Sequence, residues 1–247
     1  MTFYSNETLK MHNKKTSAQL KQMARGIMIG KYRNAISILL ASDLIISTLS
    51  LFTTTASNSY IGLVIGLIIN FIIILFGSIL MVGQCSFYLN IACGQQHQFS
   101  DLFTGFKVHP DKTIITQFII QLLTALPVIP AIVVMILAFY IDQIIPIFVL
   151  GCFLLILGCG ISWWISLKYS QVYYLLLDFP DYSSRELLKM SWKLMKGNIG
   201  RLLYIQVSFL PLTLIGLLSF GIGLLFVQPY QNMTYTLFYL DLIQADN

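Results

Sequence analysis

The chain has 247 residues, of which 57% are hydrophobic and 10% charged, and its mean hydropathy is +0.78. This charge content is too low to keep a domain of this size in solution, and the composition therefore predicts an integral membrane protein. The net charge of +5 does not indicate nucleic-acid binding, because the basic residues flank apolar stretches as they do at membrane surfaces.

The polar, lysine-bearing residues 1–16 predict a disordered basic N-terminus without a cleavable signal peptide. Residues 17–242 are predicted to form one membrane domain, followed by a tail at 243–247. The domain begins with a predicted amphipathic surface helix, whose apolar residues recur at helical spacing: Leu20, Met23, Ala24, Ile27 and Met28.

Apolar runs predict an all-α integral membrane protein of about six transmembrane helices, at residues 34–56, 60–93, 113–140, 144–177, 202–220 and 221–242. The second and fourth runs have 34 residues, about 51 Å as straight helices against a hydrocarbon core of about 30 Å. They must therefore bend, tilt or project. We expect bends at Gly77 and Gly83 in the second run, while Pro127 and Pro130 should bend or shorten the third.

The linker between the fourth and fifth runs concentrates charge. As a helix, it places Leu187, Leu188, Leu194 and Met195 on one stripe and the cations Arg185, Lys189, Lys193 and Lys196 on the other. Ser183 and Glu186 predict a capping box, and Gly197 predicts a left-handed stop. The pattern predicts a helix that lies on the inner leaflet and binds anionic lipid headgroups.

Two features of the sequence predict an internal repeat. The surface helices match at an offset of 167 residues at Ser17/Ser184, Leu20/Leu187, Met23/Met190, Met28/Met195 and Gly30/Gly197. Three apolar runs also end in an aromatic-aromatic-leucine triplet. We expect three units, about 17–93, 99–177 and 183–242, each a surface helix followed by a transmembrane hairpin.

The basic residues predict the orientation of the chain. All fifteen Lys and Arg lie at 10–33, 107–112, 168 and 185–201, and the turns near 57, 142 and 220 contain none. By the positive-inside rule, both termini should face the cytoplasm.

The second half of the chain carries a recognisable set of motifs: LLDFPDYSSRELLKMSWKLMKGN, VSF, GIG, PY and LFYLDL. It resembles the bacterial multi-pass membrane family catalogued as domain of unknown function 975. The motif positions are Ser191, Met195, Gly197, Asn198, Ser208, Phe209, Gly221, Gly223, Pro229, Tyr230, Phe238 and Tyr239. The resemblance implies a multi-pass topology and carries no biochemical activity with it.

The sequence predicts no enzymatic activity. No nucleophile-base pair or carboxylate pair occurs at useful spacing, so we expect no catalytic residue and no cofactor. Cys93 and His97 have a helical i,i+4 spacing, but two ligands do not make a metal site. The four cysteines lie in apolar stretches without the spacing of a disulfide framework.

Polar residues inside the predicted spans are the remaining candidates: Asp43, Asn70, Gln117 and Gln121. Gln117 and Gln121 share a helix face, where they either hydrogen-bond between helices or line a polar path. Asp43 needs a partner or a proton; Ser42, Ser47 or Asn70 are possible partners.

Two functions remain open. The first is a non-enzymatic protein that binds membrane lipids or a membrane-protein partner; the alternative is a transporter for a small solute or lipid. A binding protein should be a packed bundle with its polar surface on the cytoplasmic side. A transporter should contain a polar cavity lined by Asn70, Gln117 or Gln121.

Overall fold

The computed structural model describes residues 14–54, 60–138 and 144–246, and every regular element in these ranges is helical. The helices are α1 (Ser17–Met28), α2 (Tyr32–Thr54), α3 (Tyr60–Ala92), α4 (Thr104–Lys107), α5 (Pro110–Ala125), α6 (Ile129–Ala138), α7 (Ile144–Tyr169), α8 (Val172–Asp178), α9 (Ser184–Met195), α10 (Ile199–Leu218) and α11 (Leu224–Asp246). A 3₁₀ turn at Phe99–Phe103 leads into α4. The all-α prediction is confirmed for these ranges.

Four helical segments in the described ranges are long and apolar enough to cross a membrane: Tyr32–Leu51, Val64–Ala92, Ile145–Asp178 and Ile199–Leu218. The bent pair α5 and α6 makes a fifth if it counts as one broken span. The protein is therefore membrane-embedded with four to five such helices. Six spans remain a prediction, because α11, the last of them, does not meet this criterion.

Proline interrupts the third apolar run, as predicted. α5 ends at Ala125, α6 begins at Ile129, and their axes differ by 49°. Pro127 and Pro130 lie at this corner, where proline lacks the amide that continues a helix. The corner packs against Gly158 of α7, where an added Cβ would lie 2.5 Å from the Pro127 carbonyl oxygen.

The long second run behaves differently, since α3 continues without a break through Gly77 and Gly83. Neither glycine interrupts the helix, and a bend at these positions stays a prediction. Gly83 instead permits a close backbone approach, because an added Cβ would lie 1.9 Å from the carbonyl oxygen of Leu102. Gly105 of α4 permits a similar approach, because an added Cβ there would lie 2.1 Å from the carbonyl oxygen of Ile79. The 3₁₀ turn and α4 are thus held flat against α3.

The last helix, α11, lies at the centre of the fold. It packs against α1, α2, α3, α9 and α10, and its buried residues include Met233, Thr234, Thr236, Leu237 and Phe238. Neighbouring helices cover it, so polar residues such as Gln231 and Asn232 are not forced into lipid.

The surface helices α1 and α9 match in length and in the way they begin and end. Each has twelve residues and a capping box, formed by Thr16 with Gln19 in α1 and by Ser183 with Glu186 in α9. Each is followed by a left-handed glycine, Gly30 at φ +78° and Gly197 at φ +81°. The predicted capping box and stop of α9 are confirmed, whereas the three-unit repeat stays a prediction.

Some predicted boundaries shift. Residues 14–16, assigned from sequence to the disordered N-terminus, are extended and hydrogen-bonded to other parts of the fold. α11 continues to Asp246, beyond the predicted end of the membrane domain at 242. Residues 1–13, Asn247 and the turns near 57 and 142 lie outside the described residues.

Candidate functional site: an uncharged polar cavity

A cavity of about 340 Å³ lies among α3, α5, α7, α8 and α11. Its lining residues are Met81, Gln84, Cys85 and Tyr88 of α3, Gln117, Ile120, Gln121 and Thr124 of α5, Ser166 and Tyr169 of α7, Ser170 and Gln171 between α7 and α8, Tyr173 and Tyr174 of α8, and Asn232 and Tyr235 of α11. A second hollow of about 330 Å³, between α2 and α3, is lined by apolar side chains alone.

Gln117, Gln121 and Thr124 reach the cavity from one face of α5, because they are four and three residues apart. The prediction that the two glutamines share a face is therefore confirmed. They lie about 10 and 16 Å from the start of α5 at a rise of 1.5 Å per residue. That depth is inside the broken span formed by α5 and α6.

Several hydrogen bonds fix the wall of the cavity. The Tyr173 hydroxyl donates to Gln117 Oε1, and the Ser162 hydroxyl donates to the Thr124 carbonyl at 2.6 Å. Gln84 Nε2 donates to Ser42 Oγ on α2, also at 2.6 Å. The wall is therefore tied to the helices behind it.

Two buried polar atoms in the same wall have no hydrogen-bond partner among the described residues. One is Oε1 of Gln171, whose amide nitrogen donates to Ser170 Oγ at 2.8 Å. The other is the Tyr88 hydroxyl, which lies near the Asn232 side chain without reaching hydrogen-bonding geometry. Gln171 and Tyr88 are each 1% exposed, and leaving such a group unpaired costs about 1–3 kcal/mol.

No Asp, Glu, Lys, Arg or His lines this cavity in the described part of the chain. Lys168 of α7 is held elsewhere, with its ammonium nitrogen 4.1 Å from the ring centre of Trp164 and 4.5 Å from that of Trp192. These cation-π contacts fix its position. The cavity thus offers hydrogen bonds and tyrosine rings without a formal charge.

The other two intramembrane candidates lie outside the cavity. Asp43 and Asn70 are exposed on the outer faces of α2 and α3. Two of the three proposed partners of Asp43 are engaged elsewhere, since Ser42 accepts from Gln84 and Ser47 donates to the Leu44 carbonyl. Within the described ranges, Asp43 has no hydrogen bond or ion pair.

The charged linker helix α9 has the predicted two faces, but its apolar face is covered by the protein itself. Leu187, Leu188, Leu194 and Met195 are buried against neighbours that include α7, α8 and α5. The cations Arg185, Lys189, Lys193 and Lys196 are all exposed. The apolar stripe is therefore not free to enter a leaflet.

The family-motif residues around α9 have structural roles. Ser191 donates to the Lys168 carbonyl at 2.9 Å, which joins α9 to α7. Met195 is fully buried. Gly197 adopts the left-handed conformation that ends the helix, and Asn198 Nδ2 donates to the Leu194 carbonyl at 2.9 Å. Together they fix the turn from α9 into α10.

The SF pair of the motif packs between α1 and α11. The Lys21 ammonium donates to Ser208 Oγ at 3.1 Å and lies 4.7 Å from the Phe209 ring centre. Burial, with a smaller contribution from Arg25, lowers the pKa of Lys21. Phe209 in turn meets Tyr230 edge-on at 4.9 Å.

The remaining motif residues shape the last turn and α11. Gly221 has φ +83°, and an added Cβ at Gly223 would lie 2.8 Å from the Gly216 Cα. These two glycines therefore form the turn between α10 and α11. Pro229 lies within α11. The Tyr239 hydroxyl donates to Asp178 Oδ2 at 2.5 Å, and its ring stacks on Tyr174 at 4.9 Å.

Sequence reasoning missed a polar cluster that joins the two ends of the chain. Arg201 forms an ion pair with Asp241 at 2.7 Å, and the Asp241 side chain is 2% exposed. Arg201 also donates to the Lys15 carbonyl at 2.5 Å, while the Lys15 amide donates to Asp241 Oδ1 at 3.0 Å. Their separation along the chain left no local signal.

Cavity residues Gln84, Gln171 and Asn232 were missed as well, although polar residues within apolar runs were the available signal. The described residues contain no group of three or more His, Cys, Asp and Glu that could hold a metal ion. His97 packs edge-on against Phe87 at 5.7 Å. Burial, together with the nearby Asp178 carboxylate, raises the pKa of Cys93.

These features define an all-helical, membrane-embedded protein with an uncharged polar cavity. Residues 11–246 match the model of the family described as "Protein of unknown function (DUF975)", and the chain belongs to this family. The resemblance inferred from the motifs is thus confirmed. Comparison with curated proteins gives no match, and comparison with solved structures gives none.

Proposed function

We propose that this protein is a non-enzymatic carrier that binds a small uncharged polar solute in the cavity and moves it across the membrane. The observation that carries the proposal is the cavity itself, lined by Gln117 and Gln121 as the transporter hypothesis requires. Asn70, the third residue named by that hypothesis, is not part of it. At about 340 Å³ the cavity lies within the range of small-molecule sites.

The architecture supports the same function. We take α11 as a sixth crossing that is enclosed by protein, so that both termini and α9 face the cytoplasm. α5 and α6 form a proline-broken span beside the cavity, and α7 and α8 separate at Gln171, which lines it. Discontinuous helices at a binding site, within repeated units, are typical of transporters.

The groups in the cavity favour binding over catalysis. The lining provides amides, hydroxyls and a thiol, and in the described residues no carboxylate or imidazole that would act as a base near neutral pH. Such groups orient and select a ligand through hydrogen bonds.

Osmotic swelling of proteoliposomes tests the proposal. Vesicles are exposed to glycerol, urea or glucose, and entry is followed by light scattering. We expect faster swelling than in empty vesicles for at least one solute. Thr124→Trp fills the cavity and should slow entry, with Gln117→Leu as a smaller change if the first does not fold. Asn70→Leu, on the outer face of α3, should leave entry unchanged. No accelerated entry, or an equal rate in folded Thr124→Trp, contradicts the proposal.

A second role is supported by the exposed cations of α9. We propose that Arg185, Lys189, Lys193 and Lys196 hold this helix against anionic headgroups or an acidic membrane-protein partner on the inner leaflet of a bacterial cytoplasmic membrane. Each cation near such a surface contributes about 1 kcal/mol. Lipid selectivity is measured on the whole protein in mixed nanodiscs by native mass spectrometry. Replacing all four with Gln should remove any preference for anionic lipid, and an unchanged preference sinks this role.

A further inference from the structure

We infer that the ligand of the cavity is uncharged and rich in hydroxyl groups, of the size of a polyol or monosaccharide. The inference rests on the proposed solute-binding function and names its ligand class. It starts from Gln171, which lies between α7 and α8 and is 1% exposed. Its Oε1 lacks a partner in the described part of the chain, so the wall presents a buried acceptor that a ligand donor would satisfy.

The described residues place no charged side chain in the cavity lining, which disfavours ionic ligands. Transfer of an ammonium or a carboxylate from water into a site without an opposite charge costs several kcal/mol, which a few neutral hydrogen bonds do not offset. The nearby cation Lys168 is held between two tryptophan rings and does not line the cavity. An uncharged molecule avoids this penalty.

The wall needs both donors and acceptors from its ligand. Gln171 Oε1 requires a donor, whereas Gln117 accepts from Tyr173 through its oxygen and has its Nε2 group to offer as a donor. Gln121 also lines the cavity, and its side-chain amide offers a donor and an acceptor. A hydroxyl group donates and accepts, so several hydroxyls on one molecule match this mixture.

The tyrosines support the same ligand class, since five tyrosines line the cavity and a tyrosine side chain combines an apolar ring with a polar tip. A ring-shaped polyol has the same division, with C–H groups on its faces and hydroxyls at its edge. A free solute and the sugar headgroup of a lipid share this recognition chemistry.

Calorimetry on the full chain in phosphatidylcholine nanodiscs tests the class. Glycerol, inositol and glucose are titrated beside gluconate and glucosamine at pH 6, which match glucose in size but carry a charge. We expect at least one neutral polyol to bind, and gluconate and glucosamine to bind at least tenfold more weakly than glucose. Failure of every polyol, or equal binding of a charged analogue, overturns the inference.

Gln171→Met keeps the length of the side chain and removes its amide, so it should weaken polyol binding about tenfold without loss of fold. Gln121→Met is the second variant if the first does not fold, and Asn70→Leu is the control outside the cavity. Unchanged affinity in the folded variant overturns the assignment.

Tighter binding to glucosyl-lipid nanodiscs than to glucose identifies a headgroup as the source. If a polyol binds but no solute accelerates vesicle swelling, the ligand class stands and the carrier function fails. If urea accelerates swelling but no polyol binds, the carrier function stands and the ligand class fails.

Discussion

Buried polar side chains divide into those with internal partners and those without. Asp241 and Tyr239 are paired with Arg201 and Asp178 and hold helices together. Gln171 and Tyr88 are equally buried but incompletely paired, and both line the cavity. The described residues contain a third such atom, the Thr116 hydroxyl, which lies on α5 outside the cavity lining. The site is therefore marked by two unpaired atoms in one cavity wall, and not by the lack of a partner alone.

Loss of the Arg201–Asp241 ion pair should destabilise the protein. Asp241→Ala leaves a part-buried guanidinium without its carboxylate and releases the Lys15 amide. Removal of one member of a buried pair costs about 3–5 kcal/mol, and we expect the lower end because the Arg201 side chain is 23% exposed. Thermal unfolding in detergent measures this. Asp181→Asn, at an exposed site, is the control; equal stability of both variants would show that the pair is dispensable.

Substitutions at two neighbouring residues of α2 should differ in their effect on stability. Ser42→Ala leaves the Gln84 amide without its acceptor at 2.6 Å and should cost about 1–3 kcal/mol. Asp43→Asn removes no hydrogen bond, so its melting temperature should match that of the wild type. If Asp43→Asn proves the more damaging change, the carboxylate has a partner or a function that its outward position does not provide.

Acid should weaken the start of α9. Hydrogen bonds from the Ser183 side chain and backbone, with help from Lys189 and Lys112, lower the pKa of Glu186. A lowered folded-state pKa contributes stability above the unfolded pKa and loses it as pH falls through the folded value. Melting curves between pH 6 and 3 should therefore show a steeper decline in the wild type than in Glu186→Gln. Parallel curves would contradict this.

At the scale of elements, glycines decide how closely helices approach. The Gly83 position touches the backbone of the 3₁₀ turn, while an added Cβ at Gly160 meets nothing within 4 Å. Gly83→Ala should cost at least about 1–3 kcal/mol through overpacking, whereas Gly160→Ala should be neutral or stabilise by up to about 1 kcal/mol. Unfolding of the two variants in detergent compares them directly, and an undamaged Gly83→Ala protein would contradict the packing described.

Local patterns predicted these elements well where the signal is local. The stripe, capping box and glycine stop of α9 all lie within 183–197, and each appears as expected. The corner at Pro127 follows from the chemistry of one residue type. By contrast, the close approach of Gly83 to Leu102 was not predicted, because the two residues are distant along the chain. The cavity was predicted only in part. The shared face of Gln117 and Gln121 follows from their spacing, whereas the position of Gln171 depends on how five helices pack together.

At the scale of the whole molecule, charge asymmetry predicts the orientation. In a background without the native cysteines, a cysteine at Lys189 should be labelled only from the cytoplasm and one at Ser57 only from outside, since the basic segments favour the cytoplasmic side. Membrane-impermeant maleimide applied to intact and opened cells measures this. Labelling of both positions from the same side would exclude the six-crossing arrangement.

Central packing of α11 bears on how the protein is made. Polar residues such as Gln231, Asn232 and Asp241 oppose insertion of an isolated helix by the translocon. When α11 leaves the ribosome, α1 to α10 have already been synthesised, so the surfaces that cover it are available. If α11 crosses the bilayer as proposed, its insertion depends on packing against the earlier helices, which cover its polar residues in place of lipid. Ribosome-bound chains that end just after α11 should therefore integrate it when α2 and α3 are present, and leave it outside when they are deleted.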